Sequence, residues 1–139
     1  MVSVMNWLIF SILTVIFWGF WGFFLKLAST QLSWQQVFIV TSSITFVFSL
    51  LTYVIAKPSL EIGAQGVNYA LAAGVSGAFA LIFFNMAMKE GNAIVVVPLT
   101  SLYPVITVAL SYFILSEKLT VTKGLGIILA LIAIVLVSI

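Results

Sequence analysis

Five apolar runs, at residues 7–28, 34–56, 68–88, 93–115 and 121–139, take up most of the chain, and no acidic residue interrupts any of them. Each is close to the ~20 residues that an α-helix needs to cross about 30 Å of hydrocarbon at about 1.5 Å per residue. Hydrocarbon offers backbone N–H and C=O groups no partner, so a spanning segment is either a helix or a strand of a closed barrel. These runs lack the period-2 alternation of barrel strands. The expected fold is therefore all-α: an integral, multi-pass membrane bundle of five transmembrane helices in one domain over residues 1–139.

Composition closes off the soluble alternative. The chain is 64% hydrophobic and 6% charged, whereas charged residues make up about a quarter of a soluble domain. A chain of 139 residues has too little interior to hide so much apolar surface. The first run starts near Met1 without a preceding basic stretch and reads as a spanning helix, not a cleaved signal peptide. With the last run reaching the final residue, a purely membrane-embedded function is expected.

The polar connections are short, so successive helices are expected to be antiparallel neighbours. They hold Lys57, Glu61, Lys89, Glu90, Glu117 and Lys118, while Lys26 and Lys123 lie just inside segment ends, where a long side chain snorkels to the headgroups. "SWQQ" at 33–36 has the Ser-x-x-Gln form of a capping box, and Thr120 is placed to cap the last helix. Pro58 ends the second helix, because proline cannot continue its hydrogen bonding.

With no cysteine and no histidine, a disulfide framework is excluded, and a zinc or haem site built on those ligands is not expected. Enzymatic work is disfavoured as well: Glu90 and Glu117 sit near interfaces without a second group to act as nucleophile or matched acid. No cofactor and no metal are expected. The lysines are scattered singly, which argues against nucleic acid as a partner.

Topology is weakly encoded. If the N-terminus is cytoplasmic, Lys57, Lys118 and Lys123 face inward and Lys26 and Lys89 outward, a bias of a single charge. Either the chain inserts in both orientations and pairs with inverted copies of itself, or one orientation dominates and the short loops simply carry few charges.

The fourth run carries the most information about a solute path. Thr100, Pro104, Thr107 and Ser111 recur at intervals of four, three and four, with Tyr103 at the edge of the stripe. Pro104 frees the carbonyl of Thr100 and Pro98 that of Ile94. Unpaired carbonyls facing lipid each cost several kcal/mol, so the stripe is expected to face another helix, a hydroxyl or a wet cavity. The competing expectation is that the hydroxyls bond back to carbonyls one turn earlier and the prolines only bend a packed helix.

Elsewhere, Trp18 and Trp21 alternate with Gly19 and Gly22 near Lys26, an arrangement suited to a binding wall or to interfacial anchoring. Asn85 is costly to expose to lipid and is an interior candidate. Small residues form ridges at Ala70, Gly74 and Ala78, at Ala73 and Gly77, and at Gly126, Ala130 and Ala133. Such spacing is expected to mark close helix packing.

The segments "WGFWGFFLKLAS", "NMAMKEGNAIVVVPLTSLYPVITVALSYFILSEKLT" and "TKGLGIILALIAIVLVS", in this order, resemble the EamA-like domain of the drug/metabolite transporter superfamily over almost the whole chain. The resemblance implies one five-helix half of an inverted-repeat transporter, in a family that exports small solutes through ten helices arranged as two inverted halves. Trp18, Gly19 and Lys26 match its first-helix motif, and Asn85, Pro98, Tyr103 and Pro104 match its third and fourth helices. One half does not supply both walls of an alternating-access path, whereas an antiparallel homodimer recreates the repeat. The expected function is export of a small neutral or zwitterionic metabolite across a prokaryotic plasma membrane, along a path lined by Trp18, Trp21, Lys26, Asn85, Thr100, Tyr103, Pro104, Thr107 and Ser111. The rival expectation is a non-transporting scaffold or regulatory subunit of a larger membrane complex.

Overall fold

The structure, a computed structural model, describes residues 2–58 and 63–138. These form α1 (Val2–Gln31), α2 (Trp34–Ala56), α3 (Ala64–Glu90), α4 (Ala93–Thr100), α5 (Tyr103–Ile114) and α6 (Val121–Ser138), with no strand among the described residues. Four stretches are long and apolar enough to cross a membrane: Trp7–Gln31, Trp34–Ala56, Gln65–Glu90 and Ala93–Ile114. The last apolar helix, Val121–Val137, is shorter, and its rise of about 26 Å lies at the low end of what spans hydrocarbon. The protein is thus an all-α, multi-pass integral membrane protein. The position of Glu61 lies outside the described residues, as does that of Ile139.

Helix boundaries follow local chemistry. Ser33 caps α2 through a complete capping box: the Gln36 N–H donates to Ser33 Oγ at 3.4 Å, and the Ser33 N–H donates to Gln36 Oε1 at 2.9 Å. Two otherwise orphaned donors are satisfied reciprocally. At its far end Lys57 adopts a left-handed conformation (φ 44°) and donates its N–H to the Tyr53 carbonyl, just before Pro58. Thr120 caps α6, its Oγ1 accepting from the Lys123 N–H at 3.4 Å and its carbonyl from the Gly124 N–H at 2.9 Å.

The fourth segment departs from a continuous helix over 93–115. It breaks at Ser101 and Leu102 into α4 and α5. Pro104 sits in the first turn of α5, where its missing N–H is no loss. The chain bridges the break with tight turns, the Ser101 N–H donating to Val97 and Pro98 carbonyls and the Leu102 N–H to the Leu99 carbonyl. Helical backbone also runs past the apolar stretch at the start of α3, which opens at Ala64 instead of Asn68; intrahelical bonding does not stop where hydrocarbon does.

The chain falls into two compact units that divide between Glu90 and Gly91. In the first, α1, α2 and α3 pack pairwise, and the buried residues, Gly22, Leu25 and Ser29 of α1, Val37 of α2, Asn85 and Met88 of α3, all gather at one end. At the other end residues 7–20, 43–56 and 68–81 are exposed throughout. The small-residue ridges of α3 lie in that bare half, and a Cβ added at Gly74 or Gly77 would meet nothing within 4 Å. Those ridges are therefore not seams of this unit. In the second unit α6 packs along α4, while a cavity separates it from α5.

Candidate functional site

The residues singled out in the sequence fall into two groups, one in each unit. In the first unit Gly22 and Leu25 lie on the buried face of α1, which packs against α3. Trp21 stacks on Phe84 with ring centroids 5.2 Å apart and planes 17° from parallel, an offset aromatic pair. Leu25 of α1 and Met88 of α3 are buried.

Two lysines tie the ends of α1 and α3 together. Lys26 Nζ donates to the Met88 carbonyl at 2.8 Å, and Lys89 Nζ donates to the carbonyls of Ser29 and Leu32 at 2.8 and 3.0 Å. Each cation therefore meets the carbonyl end of the other helix, where the last turn leaves acceptors unpaired and the helix dipole is negative. Ser29 Oγ, itself buried, lies 2.8 Å from the Lys26 carbonyl and 3.3 Å from that of Met88. Neither Ser29 nor Lys89 stood out in the sequence. The available signal was a lysine in the last turn of a helix, which favours exposed carbonyls over lipid.

Asn85 is 2% exposed. Its Nδ2 donates to the Leu81 carbonyl at 2.7 Å, while its Oδ1 has no hydrogen-bond partner among the described residues. A buried acceptor left in this state costs about 1–3 kcal/mol. Trp18, one turn before Trp21, is exposed in the bare half of α1, away from this cluster.

In the second unit the polar stripe divides. Thr100 Oγ1 lies 2.8 and 3.0 Å from the Val96 and Val97 carbonyls, and Thr107 Oγ1 lies 3.5 Å from the Tyr103 carbonyl. These two hydroxyls bond backwards along their own helices, and Tyr103 is exposed. Ser111 instead lines a cavity of about 450 Å³ whose rim holds Glu117, Lys118 and Lys123. Pro104 and Ser101 line a smaller apolar cleft of about 90 Å³ that shares Val108, Ile127 and Ala130 with it. The charged turn at 116–118, which reads in the sequence as a hydrated exit from the membrane, thus forms one side of a cavity. Folding brings it there: Ser116 is left-handed (φ 55°) and the Glu117 N–H returns to the Ser111 carbonyl.

The all-α fold and the apolar membrane-length helices agree with one family. The model of the EamA-like transporter family matches residues 5–139. The chain belongs to the EamA-like transporter family. An uncharacterised protein of Methanocaldococcus jannaschii is 32% identical to this EamA-like chain over 132 residues, covering 95% of this chain and 96% of that protein. No solved structure matches it. Membership makes the EamA-like chain a membrane transporter protein, not an enzyme.

Proposed function

We propose that this EamA-like protein exports a small neutral or zwitterionic metabolite across a prokaryotic plasma membrane, working as an antiparallel homodimer. The observation that carries the reading is the bare half of the first unit. Three apolar helices leave residues 7–20, 43–56 and 68–81 uncovered, with two small-residue ridges on α3 that no side chain of the unit fills. In lipid such ridges give close backbone approach to another helix. A second, inverted copy supplies that helix and restores the two-fold repeat on which alternating access depends.

Rocking of the two copies would open a path to either face in turn, with no covalent step. Asn85, whose Oδ1 accepts no hydrogen bond among the described residues, and Trp21, stacked on the neighbouring Phe84, are suited to orienting a polar solute. The chain holds three carboxylates and five lysines, and Lys26 and Lys89 are engaged by helix carbonyls. That leaves little fixed charge for a highly charged solute, which favours neutral or zwitterionic ones.

The test is flux in proteoliposomes, read against a panel of radiolabelled amino acids and other small metabolites, combined with reporters on the C-terminus. Uptake of a panel member together with reporter signal on both faces supports the proposal; no movement of any solute, or signal from one face alone, counts against it. The back-bonded hydroxyls of Thr100 and Thr107 favour a second reading, a non-transporting scaffold. Under it, alanine at Thr107 and Ser111 changes assembly and leaves no flux to lose.

A further inference from the structure

The cavity between α5 and α6 is graded in polarity. At the end where the chain leaves the membrane its rim is made of Ser111, Tyr112, Glu117, Lys118 and Lys123. Past the rim Val108, Ile127 and Ala130 form the floor, and these same residues continue into the apolar cleft that reaches Ser101 and Ile134. From Ser111 to Ser101 the wall runs about 15 Å along the helices. Gly126 leaves the space open, since a Cβ there would touch nothing, and the break at Ser101 and Leu102 is where α4, packed on α6, gives way to α5.

We propose that this groove is a binding site for an anionic phospholipid, with the phosphate at Lys118 and Lys123 and one acyl chain along α5 and α6. Two ammonium groups against one carboxylate make the rim net positive, and Lys123 sits in the first turn of α6, where the helix dipole adds to the attraction for an anion. Basic pockets between membrane helices recognise phospholipid headgroups in this way. The rim is the turn between the apolar segments Ala93–Ile114 and Val121–Val137, and such turns pass from hydrocarbon to headgroups. The apolar floor separates the lipid from a free anion: inorganic phosphate would fill the rim and leave the groove behind it empty of contacts. Glu117 selects further. It accepts from the hydroxyls of a polyol headgroup, while a choline headgroup carries its own cation to Lys118 and Lys123. The inference is independent of transport, because it needs only the second unit.

The test uses the full chain in mild detergent, with phosphatidylglycerol and phosphatidylcholine of identical acyl chains offered together and bound lipid read by native mass spectrometry. Phosphatidylglycerol is expected to be retained about tenfold over phosphatidylcholine, the attraction of the two lysines being partly offset by Glu117. Lys118→Gln with Lys123→Gln should erase the preference, and Lys118→Arg with Lys123→Arg should keep it. A photoactivatable phosphatidylglycerol should label residues 101–134 of the wild-type chain, a readout that needs no variant to fold. Equal retention of both lipids, a preference that survives the double Gln variant, labelling elsewhere, or displacement of the lipid by millimolar inorganic phosphate would each overturn the proposal.

Discussion

Lys26 of α1 donates to the carbonyl of Met88 on α3 at 2.8 Å, and the residue after Met88, Lys89, reaches back to α1 at Ser29 and Leu32. The two helices thus exchange charged donors across their carbonyl ends. In a bilayer, where apolar side chains gain nothing by leaving lipid for one another, such bonds and close packing supply the association. This accounts for a unit held together with few enclosed apolar side chains, Leu25, Val37 and Met88.

Removing the Lys26 donor should loosen that end of the unit. Lys26→Met is expected to destabilise the protein by about 1–2 kcal/mol, at or below the low end of the ~1.5–3 kcal/mol for a hydrogen bond from a charged group, because Lys26 is only half-buried. Thermal unfolding in detergent measures it. Unchanged stability with lost transport would instead identify Lys26 as a solute contact.

Asn85 gives the opposite split. Asn85→Leu removes a buried acceptor that has no partner among the described residues and keeps the volume, so stability should hold or rise by up to about 1 kcal/mol. If Asn85 orients the solute, flux in proteoliposomes should fall at least about tenfold, equivalent to ~1.4 kcal/mol of lost interaction. A loss of flux that tracks a loss of fold would contradict this.

The bare ridges of α3 allow a test of pairing. A Cβ at Gly74 or Gly77 meets nothing within 4 Å, so the fold of the chain should survive leucine at both. In a homodimer packed through these ridges the added side chains force the helices apart, and cross-linking should shift from dimer to monomer. Undiminished cross-linking would place the interface elsewhere.

Pro104 governs the break in the fourth segment. Pro104→Ala returns an N–H that can donate to the Thr100 carbonyl. Amide exchange over residues 100–106 is then expected to slow as α4 and α5 join, and the gap lined by Val108, Ile127 and Ala130 to narrow. Exchange as fast as in the wild type would show that the neighbouring turns, not the proline, set the break.

The capping box offers a check of the simplest kind. Ser33→Ala removes the acceptor for the Gln36 N–H and should cost about 1 kcal/mol, read by thermal unfolding.

What the sequence determined by itself was whatever depends on the solvent and on neighbours along the chain. Apolar runs of spanning length fixed helices in a membrane, because backbone groups have no other partner in hydrocarbon. Ser33 with Gln36, and Thr120 with Lys123, were legible as caps since the bonds join residues three apart. The prolines marked freed carbonyls at Ile94 and Thr100, or a bend, within a helix read as continuous over 93–115; the break that tight turns carry across Ser101 and Leu102 was not legible in them. Which polar groups meet was decided only by the tertiary structure. The Lys26 bond to Met88 joins residues 62 apart in sequence, and a lysine near a helix end serves as well for snorkelling as for capping a neighbour. Likewise the turn at Glu117 and Lys118 became the rim of a cavity because Ser116 turns left-handed and α6 packs on α4. Small residues can pack or leave space with the same spacing, and only the placement of the surrounding helices separates the two outcomes. On α3 and at Gly126 they leave space.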